Sequence, residues 1–318
     1  MEHAEEAMGS GGGVAAVTAG LLEIDRMYGA RYAAPAAVRA VRAAGGVDRR
    51  AGAAGSEALA ELFEVVGWIL FDAERHGASY RMNQRALALA RSAPAAREDV
   101  GHGASVELLT LSVLCMQHAH LGRPRDSLRI SSAVLARAGL PERVAAIFRV
   151  REARAQAQMQ QRRAALGSLS AARDLLADGP SDRDPAWTWW FDRTELDGHH
   201  GLAHAELGEP EQAAVLLHGA AAAGDAPAYR SLFATELAYV LARAGAWREA
   251  DAWLSTLLDS VPRMGSVRAL NALGRAARTI ERADGVTRGL RDTNGQLSEL
   301  LRRVRRERPG ACVASPSV

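Results

Sequence analysis

The apolar positions of this chain recur with helical period, in runs that come in pairs separated by short turn signals. Two stretches show the pairing plainly, "HAHLGRPRDSL" at 118–128 and "HAELGEPEQAA" at 204–214. Each is the end of a helical run, then Leu-Gly, one further residue and proline. Glycine ends a helix by taking the left-handed conformation. Proline opens the next helix in its first turn, where no N–H is needed. Both stretches therefore predict the tight turn of a helical hairpin.

Anchored on the turn residue, five units line up, at Glu74, Gly122, Gln160, Gly208 and Gly245. Seven residues earlier stand Gly67, Cys115, Ala153, Gly201 and Ala238, and five residues later Ser79, Ser127, Ala165, Ala213 and Ala250. All are small, as two closely crossing helices require. Twelve residues after the anchors come Ala86, Val134, Ala172, Ala220 and Leu257. The segments 93–105 and 178–185 are rich in helix breakers and read as loops. In the second, Asp184 is placed to cap, and Pro185 to open, a long helix beginning with Trp187, Trp189 and Trp190. The pattern divides the chain into disordered ends at 1–13 and 308–318, a helical connector over 14–56, repeats over 57–285 and a capping helix over 286–307.

The offsets resemble those of the tetratricopeptide repeat, although the anchor spacings of 48, 38, 48 and 37 residues exceed the roughly 34 of that repeat. The resemblance implies an all-α fold, an α-solenoid in which hairpins stack into a right-handed superhelix. It also implies a concave groove, lined by the residues six and two before each anchor: Trp68 and Asp72, Met116 and His120, Arg154 and Gln158, Leu202 and Glu206, Tyr239 and Arg243.

The phrases "GWILFDAERHGASYRMNQRALALA", "VREARAQAQ", "DPAWTWWFDRTELDGHHGLAHAELGEPEQA" and "SVRALNALGRAAR" resemble a narrower group. They are similar to the C-terminal helical-repeat half of actinobacterial XRE-type helix-turn-helix transcriptional regulators, over about residues 21–304. "LLEIDRMYGARYAAPAAVRAVRAAG" resembles the connector that follows the DNA-binding domain in that family. Only twenty residues precede it here, with no helix-turn-helix pattern. The resemblance thus implies the sensing or partner-binding half of a regulator and argues against direct DNA binding.

Composition changes this picture little. All 39 basic residues are arginine, acids and bases are interspersed, and the net charge is +2, without the basic excess of a dedicated nucleic-acid binder. The cluster "LLRRVRRERP" at 300–309 reads as the wet face of the last helix. Two cysteines, Cys115 and Cys312, make no disulfide framework. With no signal-peptide pattern and no 18-residue apolar run, a soluble cytoplasmic protein is expected.

Two groups of residues carry candidate chemistry. Asp197, His200 and His204 share one helix face, so they can ligate a metal or serve as packing and hydrogen-bonding residues; "HGLAH" lacks the glutamate of the metalloprotease pattern. Trp187, Trp190 and Phe191 can seal one unit against the next or form an aromatic wall for a ligand. No catalytic motif or cofactor fingerprint is recognisable. The leading expectation is a non-enzymatic regulatory module that binds a peptide, a protein or a small effector, with a homodimer among the assemblies allowed. Its groove residues would be Trp68, Asp72, Met116, Arg154, Trp187, Trp190, Glu195, Tyr239 and Arg243. The alternative is an enzyme on a repurposed scaffold with a Trp/His/Glu pocket around 187–206.

Overall fold

The computed structural model describes residues 11–44, 53–92, 102–222 and 230–307. Among these residues there are fourteen α-helices and no strand. In chain order they are α1 (Gly11–Tyr28), α2 (Ala30–Ala44), α3 (Ala53–Asp72), α4 (His76–Ser92), α5 (His102–His120), α6 (Pro124–Leu135) and α7 (Glu142–Gln158). There follow α8 (Arg162–Leu175), α9 (Arg193–Glu206), α10 (Pro210–Ala222), α11 (Ser231–Ala244), α12 (Trp247–Leu257), α13 (Val267–Arg282) and α14 (Arg288–Arg306). The segments 1–10 and 308–318, expected to be disordered, lie outside the described residues, while Gly11–Gly13 belong to α1.

All five anchors have positive φ: 59° at Glu74, 68° at Gly122, 60° at Gln160, 76° at Gly208 and 69° at Gly245. The left-handed turn costs a non-glycine residue about 1–2 kcal/mol, and at Gln160 side-chain contacts offset this. Its amide Nε2 donates to the Glu206 carbonyl, 2.7 Å away at the end of α9. The ten small flanking residues are buried. At two crossings they bond directly: Ser79 Oγ donates to the Gly67 carbonyl at 2.8 Å, and Cys115 Sγ to the Ser127 carbonyl at 3.6 Å. A Cβ on Gly201 would lie 2.8 Å from Leu217 Cγ and 3.1 Å from the Leu217 backbone nitrogen, so α9 and α10 approach as closely as glycine permits.

Each helix packs on its chain neighbour within the pairs α3/α4, α5/α6, α7/α8 and α9/α10, and α3, α5, α7, α9 and α11 also touch in succession. The first and last helices then meet. Gly29 and Gly265 lie back to back; a Cβ on Gly265 would fall 1.7 Å from the Tyr28 carbonyl oxygen. The Arg31 amide donates to the Gly265 carbonyl at 2.9 Å, and the Arg31 guanidinium to the Val304 and Glu307 carbonyls. Asp72 at the end of α3 accepts from Ser266 Oγ and Arg268 Nε, both at 2.8 Å. Nothing in the hydrophobic pattern announces this closure of the chain on itself.

The long helix expected from Pro185 is broken. Residues Ala186–Trp190 form a separate 3₁₀ turn, and Phe191 (φ −91°, ψ 87°) leaves it to enter the core. α9 restarts at Arg193, capped by Asp192, which accepts the Glu195 amide at 2.8 Å. Asp184 does not cap the turn that follows it; its carboxylate accepts the Arg143 amide, in the first turn of α7, at 3.3 Å. It also accepts the Ser181 amide and pairs with the Arg143 side chain, fastening the loop to α7. Among the described residues no helix is long and apolar enough to cross a membrane.

Candidate ligand-binding site

The successive helices α3, α5, α7, α9 and α11, with α1 and the 182–190 loop, line a partly open cavity of about 1250 Å³. Its register is regular. Val65, Val113, Arg151 and His199, each nine residues before a turn anchor, line it, as do Glu61, Leu109, Glu195 and Leu232, thirteen before. Tryptophans 68, 187 and 190, Met116 and Phe233 supply much of the apolar wall.

Acids and bases both line the cavity. α1 and α3 contribute acids, among them Asp25 and Glu64. Glu64 is 3% exposed and makes no hydrogen bond or ion pair with any described residue. Burial, and then the charge of Glu61, push its carboxyl up to about 8. Asp25 accepts from Trp68 Nε1 at 3.0 Å. Burial and the nearby Asp72 raise it to about 7 against the pull of that bond and of Arg268.

Arginines reach the cavity from α1 (Arg26), α7 (Arg151), the 182–190 loop (Arg183) and α13 (Arg268). Arg268, held by Asp72, lies over the rings of Phe71 (4.4 Å) and Trp68 (5.4 Å). Arg151 is different. It is 3% exposed, yet no carboxylate lies within ion-pair distance among the described residues. Nε donates to Ser112 Oγ at 3.3 Å, Nη1 faces His199 Nε2 at 3.2 Å, and Nη2 is buried without a partner. Burial brings its pKa down to about 10, which leaves the guanidinium charged at neutral pH. His199 is neutral there, held at about 4 first by burial. The nearest acid, Glu195, is taken by Arg230 at 3.2 Å. Arg230 also bonds the Asp192 carboxylate and the Trp190 carbonyl. A buried guanidinium with an unpartnered nitrogen beside a cavity of mixed apolar and charged lining can receive an anionic group.

Of the residues expected in a groove, Trp68, Met116, Trp187, Trp190 and Glu195 line the cavity. The others do not. Asp72 is 2% exposed and engaged by α13. Arg154 pairs with Glu206 at 3.2 Å. Tyr239 sits in a separate groove of about 410 Å³ with Arg275, Arg278 and Arg282, and Arg243 lies over its ring. Positions two before an anchor fall at the turn end of each inner helix, beyond the cavity lining, which on α3 and α5 stops at Trp68 and Met116. Trp187 bonds Ser105 Oγ at 2.8 Å, packs on the core and lines the cavity.

The metal alternative at Asp197, His200 and His204 is not assembled. The two rings stack at 5.1 Å, Arg173 Nη2 lies 3.2 Å from His200 Nδ1, and His204 faces Glu209. Asp197 pairs with Arg193 at 3.4 Å, so each donor is already engaged. Arg151, Glu64 and His199 went unnoticed in the sequence; for Arg151 and His199 the shared offset of nine residues was the available signal. Comparison of the chain with protein-family models, with curated proteins and with solved structures finds no match.

Proposed function

We propose that the chain is a non-enzymatic binding module that takes an amphipathic organic molecule with an anionic group, a carboxylate or sulfonate, in its central cavity. The observation that carries this reading is the unpartnered Nη2 of Arg151. A buried charge without a counter-ion is costly, and an anionic ligand removes that cost while its apolar body meets tryptophan and methionine. The hairpins are of tetratricopeptide type, stacked in a right-handed superhelix. Support comes from the five left-handed turns, the buried small residues beside them and the contacts between successive inner helices. The module serves regulation in the cytoplasm, in keeping with its resemblance to the sensing half of XRE-type regulators. The cavity touches α1 and α3 as well as Arg268 of α13, so a ligand favours the closed arrangement and biases whatever surface depends on it.

A direct test uses 8-anilinonaphthalene-1-sulfonate, an aromatic anion, as probe. The folded wild-type chain binds one equivalent saturably, and Met116→Trp, which enlarges a side chain on the cavity wall, weakens that binding. Equal binding by both chains places the probe elsewhere and overturns the reading.

A further inference from the structure

Away from the cavity lining, the turn between α3 and α4 brings together Glu74, His76 and His120. We infer that these three side chains form a site for one divalent transition metal of the zinc type. Their donor atoms all lie within 4.8 Å of one another. Glu74 Oε2 is 3.1 Å from His76 Nε2, and Oε1 is 3.0 Å from His120 Nε2. A tetrahedral zinc ion with bonds near 2.0–2.1 Å places its donors about 3.3 Å apart; both contacts are near that separation but use different Glu74 oxygens, so the imidazoles draw together around one ion.

The backbone and the neighbouring rings set these donors in place. Glu74 occupies the left-handed turn position that is glycine in three of the five hairpins. At the other exception, Gln160, the side chain reaches the end of the next inner helix through its amide. The Glu74 carboxylate reaches the same place one unit earlier, where His120 is the last residue of α5. Buried Phe71 meets both imidazoles, at 5.9 Å from His76 and 5.7 Å edge-on from His120. Gln117 Nε2 holds the His76 carbonyl at 2.8 Å. Hydrogen bonding alone leaves the group incomplete. Oε1 is buried and close to His120 but lacks an aligned donor, and His76 Nδ1 is buried without a partner. Two imidazoles and one carboxylate match the borderline softness of zinc, and with three protein ligands a fourth position stays open for water. Side-chain exposures of 21–27% leave room for it. The bound ion would clip the first hairpin to the second.

The test is titration of the chelator-treated full chain with Zn²⁺ against a competing indicator, and with Co²⁺ followed by absorption. One equivalent should bind with micromolar or tighter affinity, and cobalt should give the intense bands of a four-coordinate site. Glu74→Gln, which keeps the residue type that Gln160 shows the turn accepts, should weaken zinc binding at least tenfold. His76→Ala and His120→Ala should do the same, whereas His200→Ala should leave it unchanged. X-ray absorption of the zinc-loaded wild-type chain, which depends on no variant, should show two imidazole nitrogens. Failure to bind one equivalent, or unaltered affinity in all three ligand variants, overturns the inference. Neither outcome bears on probe binding in the cavity.

Discussion

Arg268 on α13 and Asp72 on α3 stand 196 residues apart in sequence, yet their side chains meet at 2.8 Å with both groups almost wholly buried. Ser266 adds a second hydrogen bond to the same carboxylate oxygen, and the guanidinium lies over Phe71 and Trp68. This contact ties the last helices to the first hairpin and forms one edge of the cavity.

Removing one partner leaves the other buried without a counter-charge. Asp72→Ala should cost about 3–5 kcal/mol of unfolding free energy, read from urea denaturation. The double variant Asp72→Ala/Arg268→Met should recover much of that loss. If the single and double variants are equally unstable, the pair does not hold the ends together.

Gly201 supports a second expectation. The Cβ of Gly201→Ala meets the Leu217 backbone nitrogen at 3.1 Å and the Ala213 carbonyl at 3.2 Å, so α9 and α10 must separate. Overpacking of this kind costs about 1–3 kcal/mol. Gly219→Ala, with no atom within 4 Å of the new methyl, should be neutral or slightly stabilising in its helix. Thermal denaturation of the two variants checks the contrast.

The hairpins were legible in the sequence because their causes are local. A left-handed turn needs glycine or accepts a polar substitute, and close crossings need small residues at fixed offsets. Gly122, Gly208 and Gly245 announced the turns, and Cys115, Ala153 and Gly201 the crossings. The break at Phe191 was hidden because Pro185 and Asp192 both offer a start to the same helix, and only the burial of the Phe191 ring decides between them. The meeting of Gly29 with Gly265 joins residues far apart in the chain, which no periodicity encodes. The cavity was not legible for a related reason. Arg151 and Glu64 look like ordinary members of charged helix faces until closure puts them inside.

Glu64 gives the stability a pH dependence of definite sign. Its folded pKa of about 8 lies above the ordinary 4.5, so the folded chain holds a proton that the unfolded chain releases. Between about pH 4.5 and 8 stability therefore falls as pH rises. Glu64→Gln removes that titration. The variant should be more stable than wild type near pH 8, with the advantage vanishing toward pH 4.5. An advantage independent of pH would mean that Glu64 does not carry the proton.

The central claim is that Arg151 receives an anion, and titration of wild type and Arg151→Met with 8-anilinonaphthalene-1-sulfonate tests it most directly. A hydrogen bond to a charged group contributes about 1.5–3 kcal/mol, so the affinity of the single saturable site should fall roughly 10- to 100-fold. Replacing a buried, incompletely paired charge with an apolar side chain should leave the folded state as stable or more so. Equal affinity in the two folded proteins would contradict the assignment of Arg151 as the anion receptor.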